Sequence, residues 1–152
     1  MRAESGRSLI EIIGVMAITG VMAASSIGVY SMIRKNQIRT IAAHKMEQIA
    51  TDVKLLMEMR GTYEGVSVDY LIKSGALKSD AAPIGGADWS VTASTDGAFF
   101  AINLTNLSES DCDYFAVAMP QWASAILVNG YETEPESHCF AGGENQVSLI
   151  VK

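Results

Sequence analysis

The chain has 152 residues, of which 49% are hydrophobic and 18% are charged, and it contains two cysteines. This length allows one domain, or one small domain with a membrane segment, and the low charge content favours an anchored chain over an ordinary soluble one. Residues 1–60 carry eight Lys and Arg against five Asp and Glu, whereas residues 61–152 carry three against twelve. A C-terminal part with a net charge of −9 repels phosphate backbones, so we do not expect it to bind nucleic acid.

The first predicted element is an apolar helix near the N-terminus. From Ile12 to Tyr30, nineteen consecutive residues carry no formal charge, and as a helix they span about 28 Å, close to the thickness of a bilayer core. The run is longer than the apolar core of a secretory signal peptide, so we predict a transmembrane segment. Small residues, which let helices approach closely, recur along it; they are Gly14, Ala17, Gly20, Ala23, Ala24 and Gly28.

Glu11 places an ionisable carboxylate at the start of this apolar run. A carboxylate towards the bilayer interior costs on the order of 3 kcal/mol unless it finds a partner, and less near the interface. No basic residue lies one turn beyond Glu11, whereas Arg7 lies one turn before it. The partner of Glu11 is therefore either Arg7 of the same chain or a group on another molecule.

Residues 34–60 are predicted to continue as an amphipathic helix that ends at Gly61. Their apolar side chains recur at intervals of three and four and form one stripe, typical of a helix that lies on a sheet; they are Ile38, Ile41, Ala42, Met46, Ile49, Val53, Leu56 and Met57. His44 and Glu47 have the spacing of two metal ligands on a helix. Two ligands do not close a site, so we interpret them as part of a solvated helix face.

A short helix and a hairpin are predicted after Gly61. The helix covers residues 68–73, with Ser67 as its N-cap and Gly75 just beyond its end. Residues 89–94 and 98–105 alternate or run apolar on either side of a Thr-Asp-Gly turn, which indicates a β-hairpin.

A second short helix and two strands complete the predicted elements. Ser108 with an acid three residues later, Asp111, indicates the start of a helix that ends before Pro120. Residues 124–130 and 145–152 have the composition of strands, and the acidic segment between them is predicted to be a loop.

The acidic loop and the cysteines are the remaining candidates for a site. Glu132, Glu134 and Glu136 alternate in sequence but lack the glycine-centred loop of a calcium site, which favours a solvated loop. Cys112 and Cys139 lie beside polar residues and can form a disulfide in an oxidising compartment; the alternative is two unrelated buried thiols. The sequence has no nucleotide-binding loop, nucleophile elbow or zinc signature, so we expect no enzymatic activity, cofactor or metal.

The stretch SGRSLIEIIGVMAITGV, residues 5–21, resembles the class III signal of type IV pilins. In that family a short leader ends in glycine, and the mature chain begins with a hydrophobic helix whose fifth residue is glutamate. The resemblance implies a leader of residues 1–6, cleavage between Gly6 and Arg7 by a prepilin peptidase, and Glu11 in the fifth mature position. Gly20 stands where the family often has glycine, whereas Arg7 stands where it usually has an apolar residue.

The resemblance also implies a role for Glu11 and a set of partners. In the family the new N-terminus is usually N-methylated, and subunits wait in the inner membrane before their N-terminal helices pack into a filament core. The glutamate is thought to neutralise the N-terminal amine of a neighbouring subunit, here the amine of Arg7. The implied partners are further copies of the chain, the prepilin peptidase, the pilus assembly machinery and the inner membrane.

The stretch GAFFAINLTNLSESDC, residues 97–112, followed by a second cysteine and a terminal strand, looks like the type IVb subgroup of this family. The subgroup has a C-terminal disulfide from the start of a helix to a late strand, here from Cys112 to Cys139. The implied fold is α+β and pilin-like, with a long N-terminal α-helix packed on an antiparallel β-sheet head. The implied organisation is a leader (1–6), a transmembrane and assembly segment (7–33) and a periplasmic or extracellular head (34–152).

The function that the resemblance implies is structural: a type IV pilus subunit that serves adhesion, aggregation, conjugation or motility. Its location would be the inner membrane, as a single-pass protein with the head outside, and then the cell surface. A minor pilin or a type II secretion pseudopilin is an alternative within the family. An alternative of another class is a membrane-anchored ligand-binding or enzymatic domain that does not polymerise.

Overall fold

The computed structural model describes residues 5–118, 120–132 and 138–152 of the chain, with side chains described from Leu9 onwards. Helix α1 covers Ser5–Glu58. The chain divides into two compact units, Met1–Ile38 (the N-terminal unit) and Arg39–Lys152 (the C-terminal unit). The division falls inside α1, a little beyond the boundary at residue 33 that the sequence suggested.

The described residues of the C-terminal unit form two short helices and five strands besides the end of α1. In chain order these are α2 (Val68–Lys73), β1 (Asp88–Ala93), β2 (Phe100–Leu107), α3 (Glu109–Val117), β3 (Ala125–Val128), β4 (Tyr131–Glu132) and β5 (Asn145–Val151). The strands make one sheet in the order β1-β2-β5-β3-β4, and all neighbouring strands are antiparallel. The predicted α+β class, with a long N-terminal helix and an antiparallel sheet, is confirmed.

The C-terminal part of α1 packs on one face of this sheet. Met46 and Met57 on the helix are each 1% exposed and share one apolar core with Ile102 and Leu149 on the two central strands. Burying one side chain of this size contributes about 1.5–3 kcal/mol. The packing of several such side chains of α1 on the sheet therefore contributes substantially to the stability of the C-terminal unit.

The predicted apolar stripe on α1 extends too far towards the N-terminus. Ile38 and Ile41 are 42% and 55% exposed, and the buried part of the helix begins at Ala42. The prediction was wrong for these two residues because periodicity marks a helix face but not where the sheet starts to cover it.

Local signals set the ends of the helices as predicted. Gly61 has a φ of +69° and follows the end of α1 closely. The Ser67 hydroxyl accepts a hydrogen bond from the Tyr70 backbone N–H at the start of α2, and Ser108 does the same for Asp111 at the start of α3. Each cap satisfies a backbone donor that the first helical turn would otherwise leave unpaired.

The β1–β2 hairpin is present, and its turn packs against the loop after α1. The Ser94 N–H donates to the Phe99 carbonyl across the turn, and the Tyr63 N–H donates to the Gly97 carbonyl. Gly97 has a φ of +67°, and a Cβ at this position would collide with the Thr62 hydroxyl. Glycine is therefore required here both by the backbone conformation and by the close approach of the loop.

A second hairpin, between β3 and β4, was missed because residues 131–144 were predicted to be a loop. β3 stops at Val128, and Asn129 and Gly130 form the turn with φ values of +50° and +87°. Asn-Gly is the dipeptide that favours the tight turn of a two-residue hairpin, so the signal was present in the sequence.

Candidate functional site

The candidate site is the apolar segment, which we define as residues Leu9–Ile33 of α1. Its large apolar side chains are all between 50% and 76% exposed. Exposed apolar surface of this extent marks a site for a membrane or for another protein. The helix from Leu9 is long and apolar enough to cross a membrane, with a mean hydropathy of 2.0 in its apolar window.

The aliphatic hydroxyl groups of the apolar segment are satisfied within the helix. Thr19, Ser25 and Ser26 each donate to the carbonyl four residues earlier, at 2.6–2.7 Å, and Ser31 donates to the Gly28 carbonyl at 2.9 Å. An unpaired hydroxyl is costly away from water, and these local bonds remove that cost. The polar residues of the segment are therefore compatible with an apolar environment, with Glu11 as the exception.

Glu11 lies on the exposed surface of the helix, beside Ile12, Val15 and Met16. Among the side chains described from Leu9 onwards, none forms an ion pair or hydrogen bond with its carboxylate. In water this arrangement costs little, but in a membrane or a helix bundle the charge requires a partner.

Glycines leave open notches along the same helix. A Cβ built on Gly14, Gly20 or Gly28 would meet no atom within 4 Å outside the local backbone. Steric contact in the described chain therefore does not require glycine at these positions, although each glycine weakens the helix by about 1 kcal/mol relative to alanine. Close approach of another helix is the usual use of such notches.

The predicted cleavage point lies at the start of α1. Gly6 and Arg7 are both helical, since the helix begins at Ser5. The Arg7 side chain and residues 1–4 of the predicted leader lie outside the described residues. The structure therefore brings Arg7 and Glu11 onto one helix, one turn apart, without describing a contact between their side chains.

Cys112 and Cys139 form a disulfide, as the resemblance implied. Cys112 is fully buried in α3 and Cys139 lies in the segment before β5. The bridge closes a loop of 27 residues. The bridge attaches residues 138–144 to α3. These are the residues between β4 and β5 that the structure describes.

Asn145 holds the same segment from the other side, and sequence reasoning did not identify it. Its side chain is 0% exposed, and the amide Nδ2 donates to the carbonyls of Leu107 and Phe140 at 3.3 and 2.8 Å. Its Oδ1 accepts from the Phe140 N–H at 2.6 Å and from Asn129 Nδ2 at 3.1 Å. Every donor and acceptor of this amide is used, so the residue acts as a clamp between β2, the β3–β4 turn and the disulfide segment.

Arg39 connects α1 to α3 through a charged contact that the sequence also did not reveal. Its Nε lies 2.8 Å from Asp111 Oδ1, and its terminal nitrogen donates to Ser110 Oγ at 3.0 Å. The guanidinium also lies 5.5 Å from the centre of the Tyr114 ring. These contacts tie the first turn of α3 to the first residue of the C-terminal unit.

The described residues hold no group of three or more His, Cys, Asp and Glu side chains placed to bind a metal ion. His44 Nδ1 lies 3.6 Å from Glu47 Oε2 on an exposed part of α1. Glu132 is exposed in β4, whereas Glu134 and Glu136 lie outside the described residues. In the β1–β2 turn, the pKa of Asp96 is lowered because its carboxylate accepts hydrogen bonds from the Ser94 hydroxyl and from the Ala98 N–H.

Comparison with known proteins does not assign the chain to a family. No protein-family model matches the sequence, and no curated protein matches it either.

Proposed function

We propose that this chain is a structural subunit of a type IV pilin-like filament that polymerises through α1. The observation that carries the proposal is the combination of an exposed apolar segment with one carboxylate, Glu11, that has no partner among the described side chains. The position of Glu11, fifth after Gly6, is the position of the family glutamate. The α+β C-terminal unit with its Cys112–Cys139 disulfide is compatible with a type IVb-like head.

Glu11 would be neutralised by the N-terminal amine of a neighbouring copy after cleavage between Gly6 and Arg7. Two opposite charges 4 Å apart attract by about 4 kcal/mol at an effective dielectric constant of 20, and more where water is excluded. Where water is excluded, either charge without its partner is strongly unfavourable. The pair would therefore form only between subunits in the correct axial register, and the carboxylate would select that register.

Arg7 would bring a second positive group close to Glu11. Arg7 precedes Glu11 by four residues in the sequence, and its guanidinium would compete with the neighbouring amine for the carboxylate. In the unassembled membrane form this local pair would lower the cost of holding Glu11 in the bilayer. On assembly the amine of the neighbour would join the same carboxylate.

Inclusion of the variant Glu11→Gln in filaments tests the proposal. Glutamine has the same shape and loses the charge, so we expect insertion and processing to be unchanged and recovery in a sheared surface fraction to fall at least about tenfold. Glu47→Gln, on an exposed part of the same helix, is the matched control and should be recovered like the unchanged chain. Equal recovery of the two variants would contradict the charge pairing.

The same experiment separates a polymerising subunit from a membrane-anchored domain. A chain that only anchors a binding or enzymatic domain would remain in the membrane fraction whether Glu11 is present or not. A minor pilin or pseudopilin would give a similar dependence on Glu11 but a low yield in the sheared fraction.

A further inference from the structure

The apolar segment ends at a pair of basic residues. From Ile12 to Ile33, twenty-two consecutive residues carry no formal charge, and Arg34 and Lys35 follow directly on the same helix. Both side chains are exposed, and neither has an ion pair among the side chains that the structure describes. The two cations are therefore placed to bind an anion at this end of the segment.

The charge along the helix around this pair is positive. Between Glu11 and Glu47 the sequence contains no Asp or Glu, so no carboxylate of α1 lies within three helical turns of the pair. In the C-terminal unit, the Asp111 carboxylate lies 2.8 Å from the Arg39 guanidinium. The acidic residues of α3 are Glu109, Asp111 and Asp113. An anion that meets the pair from outside the chain is therefore not opposed by a carboxylate of its own helix.

Tyr30 indicates the surroundings of this end of the segment. It is the only Phe, Tyr or Trp among the first 60 residues, and its side chain is 67% exposed. It precedes Arg34 by four residues, so both lie on one face of α1. Tyrosine favours the boundary of a bilayer, where its ring meets hydrocarbon and its hydroxyl meets headgroups. An exposed tyrosine followed by two cations is therefore the residue order of a membrane boundary.

The length of the uncharged run matches the thickness of a bilayer core. The twenty-two residues rise about 33 Å as a helix, and the core is about 30 Å thick, so a modest tilt accommodates the run. With Arg34 and Lys35 at one face of the bilayer, Glu11 lies at the other face and outside the hydrocarbon. A carboxylate costs much less at this interface than at the bilayer centre.

We propose that Arg34 and Lys35 bind the phosphate groups of lipid headgroups and hold the unassembled chain at one depth in the membrane. Phosphate accepts charge-assisted hydrogen bonds from guanidinium and ammonium groups, and it is the anion that phospholipids present at this level. The inference rests on the membrane form of the chain in the proposed function, but it does not require polymerisation. Transfer into a filament would break these contacts, so anionic lipid would oppose the release of the subunit.

Solid-state NMR of the full chain in vesicles of phosphatidylcholine and phosphatidylglycerol measures the contact with phosphate. Dipolar coupling between lipid phosphorus and the labelled guanidinium carbon of arginine reports the arginines that touch a headgroup. The sequence contains five arginines, so the signal of Arg34 is the difference between the unchanged chain and Arg34→Gln. We expect this variant to lose the coupling of one arginine. Equal coupling in the two chains would overturn the proposal.

Lysine provides a matched control. With the Cε carbon of lysine labelled, Lys35→Gln should lose coupling to phosphorus, whereas Lys45→Gln, at an exposed lysine of the C-terminal unit, should lose none. Equal losses would show that the contact is not specific to the end of the apolar segment and would reject the proposal. The same chain in a maltoside detergent with inorganic phosphate tests the source of the anion. Equally strong coupling there would assign the pair to free phosphate and overturn the choice of lipid.

Preference for anionic lipid is a second readout. We expect spin-labelled phosphatidylglycerol to associate with the chain more strongly than spin-labelled phosphatidylcholine, because basic residues at a membrane surface attract anionic lipid. The double variant Arg34→Gln, Lys35→Gln should reduce this preference at least about threefold, whereas Arg34→Lys keeps the charge and should retain it. An unchanged preference in the double variant would contradict the proposal. A chain that binds lipid phosphate but enters no filament would refute the proposed function alone.

Discussion

Removal of the Asn145 side chain is expected to weaken the C-terminal unit strongly. The Asn145 amide makes four hydrogen bonds, to Leu107, Asn129 and twice to Phe140, and is completely buried. In the variant Asn145→Ala these partners lose their bonds to the side chain of residue 145. Leu107 is only 2% exposed, so water cannot easily replace the bond to its carbonyl. Water can reach Phe140, which is 63% exposed, more easily.

The expected cost follows from the groups that remain unpaired. A buried donor or acceptor without a partner costs about 1–3 kcal/mol. The Leu107 carbonyl is affected most here, whereas the Asn129 amide keeps its bond to the His138 carbonyl at 2.7 Å. We therefore expect the free energy of unfolding to fall by about 3 kcal/mol, out of the roughly 5–15 kcal/mol that a domain usually has.

Urea unfolding of the full chain in detergent measures this loss. Trp89 and Trp122 both belong to the C-terminal unit, so their fluorescence reports its unfolding and not that of the apolar segment. Gln121→Ala, at an exposed amide, is the control and should change the free energy of unfolding by less than about 0.5 kcal/mol. A loss below about 1 kcal/mol for Asn145→Ala would refute the clamp.

The variant Asn145→Asp adds a pH dependence to the same test. An ionised carboxylate cannot donate to the Leu107 and Phe140 carbonyls, so burial should raise the pKa of the new carboxyl above its unfolded value. The folded state then binds more protons than the unfolded state above pH 4 or so, and stability should fall as the pH rises through that range. Equal destabilisation at pH 4 and pH 7 would contradict the hydrogen bonds assigned to the amide.

Three further changes test other contacts, each by urea unfolding. Replacing both Cys112 and Cys139 by alanine should cost about 3.5 kcal/mol, from the chain entropy of a 27-residue loop, and should remove the effect of reducing agent on stability; an unchanged midpoint would contradict it. Gly97→Ala should cost about 1 kcal/mol or more beyond Gly130→Ala, because both have positive φ but only Gly97 also meets another residue; equal costs would show that the loop contact is absent. Arg39→Ala should cost about 1.5 kcal/mol through its partly buried ion pair, and a cost near zero would remove the proposed tie between α1 and α3.

Features set by neighbouring residues were predictable from the sequence. Ser67 and Ser108 cap helices whose limits agree with the prediction, and the β1–β2 hairpin lies around the predicted turn. The Asn129-Gly130 dipeptide is also a local turn signal, but the second hairpin was not predicted from it because the strand that follows, β4, has only two residues.

Features that join distant parts of the chain were not predictable in the same way. The last strand, β5, lies between β2 and β3, and no local pattern specifies that order. Arg39 and Asp111 are 72 positions apart, and the clamp at Asn145 joins residues separated by up to 38 positions. Glu11 is a different case, since no partner for its carboxylate lies among the side chains described from Leu9 onwards, and the partner that we propose is the amine of another copy.

The intact mass of the chain after co-expression with an active prepilin peptidase tests the central claim most directly. Cleavage between Gly6 and Arg7 creates the amine that Glu11 is proposed to neutralise and places Glu11 fifth in the mature chain. We expect the mass of residues 7–152, with or without one added methyl group. Persistence of the full-length mass, in cells where a known pilin is cleaved, would contradict the assignment.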